Sequence, residues 1–383
     1  AYADDGGCDE GPGYWGRAGA SLFDCLELLD SATGGEVNVY DRPLIREIGR
    51  YICRVHIADD SFVNFADASA KAYPPAGLVY RYGKRIGDER LAAFGAFLKS
   101  RRREGFAGEQ TYTVGRYLPE IFHTAELKAA RAKAPLPRDV WLDGIQVMTA
   151  RCAEGTSDGF FVAAKGGHNA ESHNHNDVGN FIVYVDGRPV LIDIGVETYS
   201  RKTFSSQRYE IWTMQSAWHN LPTIDRVVQS PGRQFAAKGV QYEADDDHAQ
   251  LTLDIAGAYP QEAGLRSWVR TIRLDRGRDV AITEDYALAK PAGRIQLSLV
   301  TPCKVTQLQA GRLLLESLDS DGSPIPVQVL YDANKLNPTV ETVRVEDASL
   351  RSVWPEQLTR ILLIAEKPAV QDAWTMRIER VQN

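Results

Sequence analysis

Apolar positions in the first third of the chain recur at helical spacing. Leu22, Phe23, Leu26 and Leu29 form one stripe, which Gly34-Gly35 ends. Asp41 ahead of Pro43 predicts a helix start, with the aspartate as cap and the proline in the first turn. Leu44, Ile45, Ile48 and Ile52 continue on one face. Leu91, Phe94 and Leu98 make a third stripe that runs into Arg101-Arg102-Arg103, which reads as a solvated helix end. Gly- and Pro-marked loops separate these stripes, so the pattern predicts a layered helical array.

The pattern changes after residues 128–138, where two prolines and a simple Lys, Ala and Arg composition mark a linker. Beyond it the period drops from 3.6 to 2. Phe181–Val185, then Asp186-Gly187, then Val190–Ile192 reads as strand, turn and strand. Similar runs recur at 250–255, 266–274, 279–283, 294–300, 312–316, 325–330 and 359–364. The expected fold is an α+β multidomain chain, helical over 1–135 and an antiparallel β-sandwich over 136–383. No internal repeat is visible.

Composition narrows the function. Forty-four basic residues stand against 51 acidic ones, a net charge of -7, which argues against a nucleic-acid partner held by a global positive field. It leaves room for an anionic ligand held by a few local cations. No run approaches the ~18 apolar residues of a membrane span. Five cysteines without close spacing predict free thiols rather than a disulfide framework. The chain begins Ala1-Tyr2-Ala3, as a processed or excised piece would, and shows no signal peptide.

Histidine placement carries the sharper signal. Four of the seven fall between 168 and 219. His173 and His175 are two apart, so an extended backbone would project both rings from one side. Asp193 follows the hairpin and is expected opposite residue 182, near the His-bearing segment, and His219 lies further on. Two imidazoles and a carboxylate make a zinc set with a fourth position for water. The same residues equally describe a hydrogen-bonded His and Asn network that shapes a loop.

Several blocks together resemble the heparinase II/III-like polysaccharide lyases. They are Lys165-Gly-Gly-His-Asn-Ala-Glu-Ser-His-Asn-His-Asn-Asp177, Leu191-Ile-Asp-Ile-Gly195, Glu197-Thr-Tyr199 and Ser216-Ala-Trp-His-Asn220. Asp5-Gly-Gly-Cys-Asp-Glu-Gly-Pro-Gly-Tyr-Trp15 resembles the end of that family's helical domain. The resemblance implies an (α/α) toroid of helical hairpins, here partial, followed by the sandwich. It implies β-elimination on a glycan containing uronic acid, giving a 4,5-unsaturated uronate. Tyr14 would be the catalytic tyrosine, and His173 its partner or the group that neutralises the uronate carboxylate. His175, Asp193 and His219 would hold a structural zinc or another divalent metal. Glu10, Tyr199, Arg208 and Tyr209 are the implied substrate contacts. A periplasmic or secreted location follows from the resemblance alone.

One departure from the family pattern stands out. The family's upstream asparagine or histidine, which neutralises the carboxylate, has no counterpart before the Glu10–Tyr14 block. Either the chain is the C-terminal part of a longer protein, or a second chain, such as the other half of a homodimer, completes the toroid. Two further readings stay open: a metal-dependent glycan hydrolase in which the zinc set activates water, and an inactive carbohydrate-binding fragment.

Overall fold

The computed structural model describes residues 2–101, 114–318 and 323–381. Helices Gly11–Trp15, Ala18–Ala32, Pro43–Arg54, Ala76–Ile86, Glu89–Arg101, Val114–Phe122 and Thr124–Ala129 come first. Strands dominate from Asp139 onward. Arg101 closes its helix and pairs with Asp59 at 2.9 Å; Arg102 and Arg103 lie outside the described residues.

Two local expectations in the helical part change. The residue before Pro43 is the cap, so Arg42 takes that position in place of Asp41, and no side chain caps the helix. Its extended backbone (ψ 132°) is what a following proline imposes. In Ala18–Ala32, Phe23 is buried but Leu29 is exposed. The last turn faces inward through Asp30 instead, which meets Arg85 at 2.9 Å.

The stretch between Pro43–Arg54 and Ala76–Ile86 is not helical. A short hairpin pairs His56–Ala58 with Ser61–Phe62, and the chain then runs irregularly through buried Asn64, Ala66, Asp67, Ala68 and Ala70. The guanidinium of Arg151 ties this hairpin to the sheet. It donates to the carbonyls of His56 (2.9 Å), Ile57 (3.2 Å) and Pro137 (2.9 Å).

Asp139–Leu142, Val147–Arg151, Phe160–Lys165, Phe181–Val185 and Arg188–Leu191 form a five-stranded antiparallel sheet in sequence order. Its central strands are buried on both faces, which is why Phe160–Ala164 and Phe181–Val185 read as unbroken apolar runs. Phe160, Val162, Phe181 and Val183 share a core with Leu251, Ile272, Ile282 and Leu315 of the sandwich. Phe161, Ala163, Ile182 and Tyr184 point the other way, into a core with Trp15, Phe23, Tyr51 and Phe94 of the helices.

Most of the remaining strands build an eight-stranded and a four-stranded antiparallel sheet, while Gly232–Ala236 pairs with His168–Asn169. Every strand expected from an apolar run is present, as His248–Asp254, Leu265–Asp275, Asp279–Leu288, Arg294–Thr301, Arg312–Leu318, Pro324–Leu330 and Gln357–Glu366. Lys238–Ala244 and Lys304–Gln309 were not expected. They are the edges of the eight-stranded sheet and mostly exposed, so they carry no apolar signal.

One buried ion pair joins this scaffold to the loops above it. Arg270 and Glu284 are directly opposed on adjacent strands and meet at 2.6 Å. The same guanidinium donates to the carbonyls of Gly179 and Asn220, each at 2.7 Å. Replacing one member strands a buried charge, so Glu284→Gln should lower unfolding free energy by about 3–5 kcal/mol, as chemical denaturation would measure.

Candidate active site and metal cluster

Three strands of the five-stranded sheet end on one edge, and polar residues take over there. Lys165 closes Phe160–Lys165, Asn180 precedes Phe181–Val185, and Asp193 follows Arg188–Leu191. The Lys165 ammonium is buried between Glu171 (2.7 Å) and Asp177 (2.8 Å), closing the 166–177 segment into a loop. Within it, His173 takes a left-handed backbone, φ +54°. The loop is therefore not an extended strand, and the two histidines reach the same carboxylate, that of Asp67, through a turn of the backbone rather than by strand alternation. His173 is 23% exposed on the outer surface, whereas His175 is fully buried.

Tyr14 arrives from the helical side. Gly11, at φ +83°, starts the short helix, and a Cβ there would lie 2.6 Å from the Cβ of Ala68. That absence of a side chain lets the helix abut the Asp67 segment. Trp15 points inward and donates to the Ile48 carbonyl at 2.7 Å, which turns its neighbour Tyr14 outward. The Tyr14 hydroxyl meets that of Tyr199 at 2.6 Å, and its ring lies 4.3 Å from the His173 ring. Glu10 Oε2 stands 4.0 Å from His173 Nε2, and Asp9 accepts from the Ser172 amide at 3.1 Å. Burial raises the Tyr14 phenol above its ordinary value of 10, although its bond to Tyr199 opposes the shift. Burial also raises Tyr199, and Tyr14 and Asp67 push it further the same way.

Sequence reasoning missed Asp67. Its side chain is wholly buried, and it accepts from His173, His175, Tyr199 and Arg208. Burial alone would raise its carboxyl, but His175 and Arg208 more than offset this and hold it ionised. No periodic stripe marks the 63–72 segment; the available signal was an Asn and an Asp among small apolar residues. Asn64, from the same segment, donates to the Asp193 carbonyl at 3.0 Å.

Arg208 and Tyr209, expected as substrate contacts, are half-buried and hydrogen-bonded to the protein itself. The Arg208 guanidinium donates to Asp67 (2.5 Å), the Asn174 carbonyl (2.9 Å) and the Thr203 carbonyl (3.1 Å). The Tyr209 hydroxyl accepts from Asn174 Nδ2 at 3.1 Å. Glu10, Tyr14 and His173 are likewise half-buried, and Tyr199 is exposed.

Deeper in, His175, Asp193 and His219 each offer a ligand atom, and these lie within 4.8 Å of one another. Asp193 lies beyond the paired residues of the hairpin, and its carboxylate meets the side chain of Asn180 rather than residue 182. Asn180 Nδ2 donates to it at 2.8 Å, as does the Gly195 amide. His219 follows the turn Ser216–Trp218, with its Nδ1 3.1 Å from Asp193. Asn220 next to it ties the Phe181 and Ile192 carbonyls together. Burial would raise Asp193 and lower His219, but their mutual attraction reverses both shifts. His175 Nδ1 and His219 Nε2 are buried with no hydrogen-bond partner among the described residues. Two such lone pairs beside a carboxylate fit a divalent cation.

Comparison with known proteins agrees with this architecture. No curated protein sequence matches the chain. The heparan sulfate lyase HepC from Pedobacter heparinus superposes with a TM-score of 0.74 at 13% identity, covering 100% of this chain and 54% of its own. A heparinase III structure gives 0.73 at 15% identity, with 100% and 53% coverage. A chondroitin AC lyase from Streptomyces coelicolor A3, in complex with chondroitin sulphate, gives 0.53 at 11%, with 100% and 56%. At these identities the likeness is one of fold, and the chain spans about half the length of each. Residues 144–352 match the model of the heparinase II/III-like C-terminal family. The chain therefore belongs to the heparinase II/III-like family.

Proposed function

We propose that the chain serves a polysaccharide lyase acting on glycans that contain uronic acid, with Tyr14 and His173 handling the protons of a β-elimination. The observation that carries this reading is the meeting of Tyr14, from the helices, with Tyr199 and His173, from the loops of the strand-rich part. In the reaction the C5–H bond breaks and its proton passes to a base. The electron pair left behind forms the C4=C5 double bond as the C4–O4 bond breaks, and O4 leaves with a proton from an acid.

The environments of the two residues suit different halves of that exchange. Tyr14, raised above its ordinary value, stays protonated at neutral pH and serves as the acid. His173 presents Nε2 beside Glu10 on the open side and serves as the base. Glu10 and Tyr199 border the sugar. Neutralising the uronate carboxylate, the main electrostatic demand of the reaction, falls to donors other than the engaged guanidinium of Arg208. The helices belong to a partial (α/α) toroid in this reading. The size of such polymers places the reaction in the periplasm or the surrounding medium.

A zinc or other divalent ion at His175, Asp193 and His219 would cross-link the 166–177 loop, the segment after the hairpin and the 216–220 turn. All three residues are buried, which supports a structural role. A hydrolytic metal requires a position open to water and substrate.

Incubation with a panel of uronate polysaccharides should produce the ultraviolet absorption of the conjugated enol carboxylate. No such product from any member would reject the lyase reading. Tyr14→Phe should lower kcat by about 10²–10⁴-fold with the melting temperature unchanged. The alkaline fall in kcat due to loss of the Tyr14 proton should have its midpoint above pH 10, because that group is shifted upward. His175→Ala and Asp193→Ala should each release metal and lower the melting temperature, read by metal analysis alongside calorimetry.

A further inference from the structure

Asp67 lies outside every sequence block that carries the family resemblance, yet it touches both halves of the site. An ionised carboxylate only accepts hydrogen bonds, and it offers about four lone-pair positions. Four donors fill them here. Oδ2 faces His173 Nδ1 at 2.8 Å and the Tyr199 hydroxyl at 3.0 Å. Oδ1 faces His175 Nε2 at 3.0 Å and Arg208 at 2.5 Å. One oxygen thus serves the open side and the other serves the buried cluster.

We propose that Asp67 is the positioning residue that sets the tautomers of His173 and His175 and the donor direction of the Tyr14–Tyr199 pair. Because the carboxylate cannot donate, each ring nitrogen facing it must carry the proton. His173 is then protonated at Nδ1, which leaves the Nε2 lone pair toward Glu10 and the open side. His175 is protonated at Nε2, which leaves the Nδ1 lone pair inside the cluster, where it has no other partner. The Tyr199 hydroxyl donates to Asp67, so its oxygen receives the proton of Tyr14. A single acceptor therefore orients four groups. The His173 and tyrosine assignments rest on the lyase reading for their use, but the tautomers do not depend on it.

The test is nitrogen-15 NMR of the full chain with labelled histidine, at a pH where the rings are neutral. His173→Ala and His175→Ala identify the two signals. Wild type should show His173 as Nδ1–H and His175 as Nε2–H. In Asp67→Asn, whose side chain has only one acceptor oxygen, His173 should move toward the Nε2–H form. The same variant should lower kcat by about 10²–10⁴-fold with KM little changed. His173 as Nε2–H in wild type would overturn the proposal, as would an Asp67→Asn protein with unchanged tautomers and only a lower melting temperature. If Asp67→Asn does not fold, the wild-type spectrum decides alone. The stated tautomers in a protein that yields no unsaturated product would support the role of Asp67 and reject the lyase reading.

Discussion

A single sheet serving two cores governs this molecule. The inner strands of the five-stranded sheet give alternate side chains to the helices and to the sandwich, so they have no face left for polar groups. Whatever chemistry these strands support must sit at their ends. Lys165, Asn180 and Asp193 do so on one edge, and the loops they anchor carry both histidines of the 173–175 pair. The position of the site follows from where burial stops.

Such an edge concentrates polar groups where water is scarce, so their hydrogen bonds have to close among themselves. The amide side chains do much of this closure. Asn180 links Asp193 to the Asn220 amide, and Asn220 links the carbonyls of Phe181 and Ile192. Lys165 between two carboxylates, and Arg270 against Glu284, keep buried charge in matched sets. Of the three buried ring nitrogens without a partner among the described residues, His56 Nδ1 sits in the helical core, and the other two both lie in the cluster of His175, Asp193 and His219. That coincidence supports a cation there better than the ligand spacing does.

Much of this was legible in the chain because periodicity and residue type report directly on burial. The change of period after the linker, the inner strands and the convergence of His175, Asp193 and His219 all follow from such local signals. Three features were not legible, each for a physical reason. The backbone at His173 reverses to the left-handed region, which no spacing rule between positions 173 and 175 anticipates. Arg208 looks like a free cation beside two tyrosines, and only the fold brings the buried carboxylate that engages it. Asp67 itself sits in an irregular stretch, where neither a helix nor a strand period exists to flag a buried acid.

The two phenols that meet at 2.6 Å belong to different layers, one held by Trp15 in the helical core and the other by the loop after the hairpin. Their separation therefore works as a ruler across the seam. A slip of about 1 Å between the layers would carry the pair beyond the ~3.0 Å reach of an O–H···O bond without unfolding either one. Packing on the core side of the short helix, at Gly11 and Trp15, thus governs the alignment of Tyr14 on its outer side, and the tolerance of the site is the tolerance of that seam.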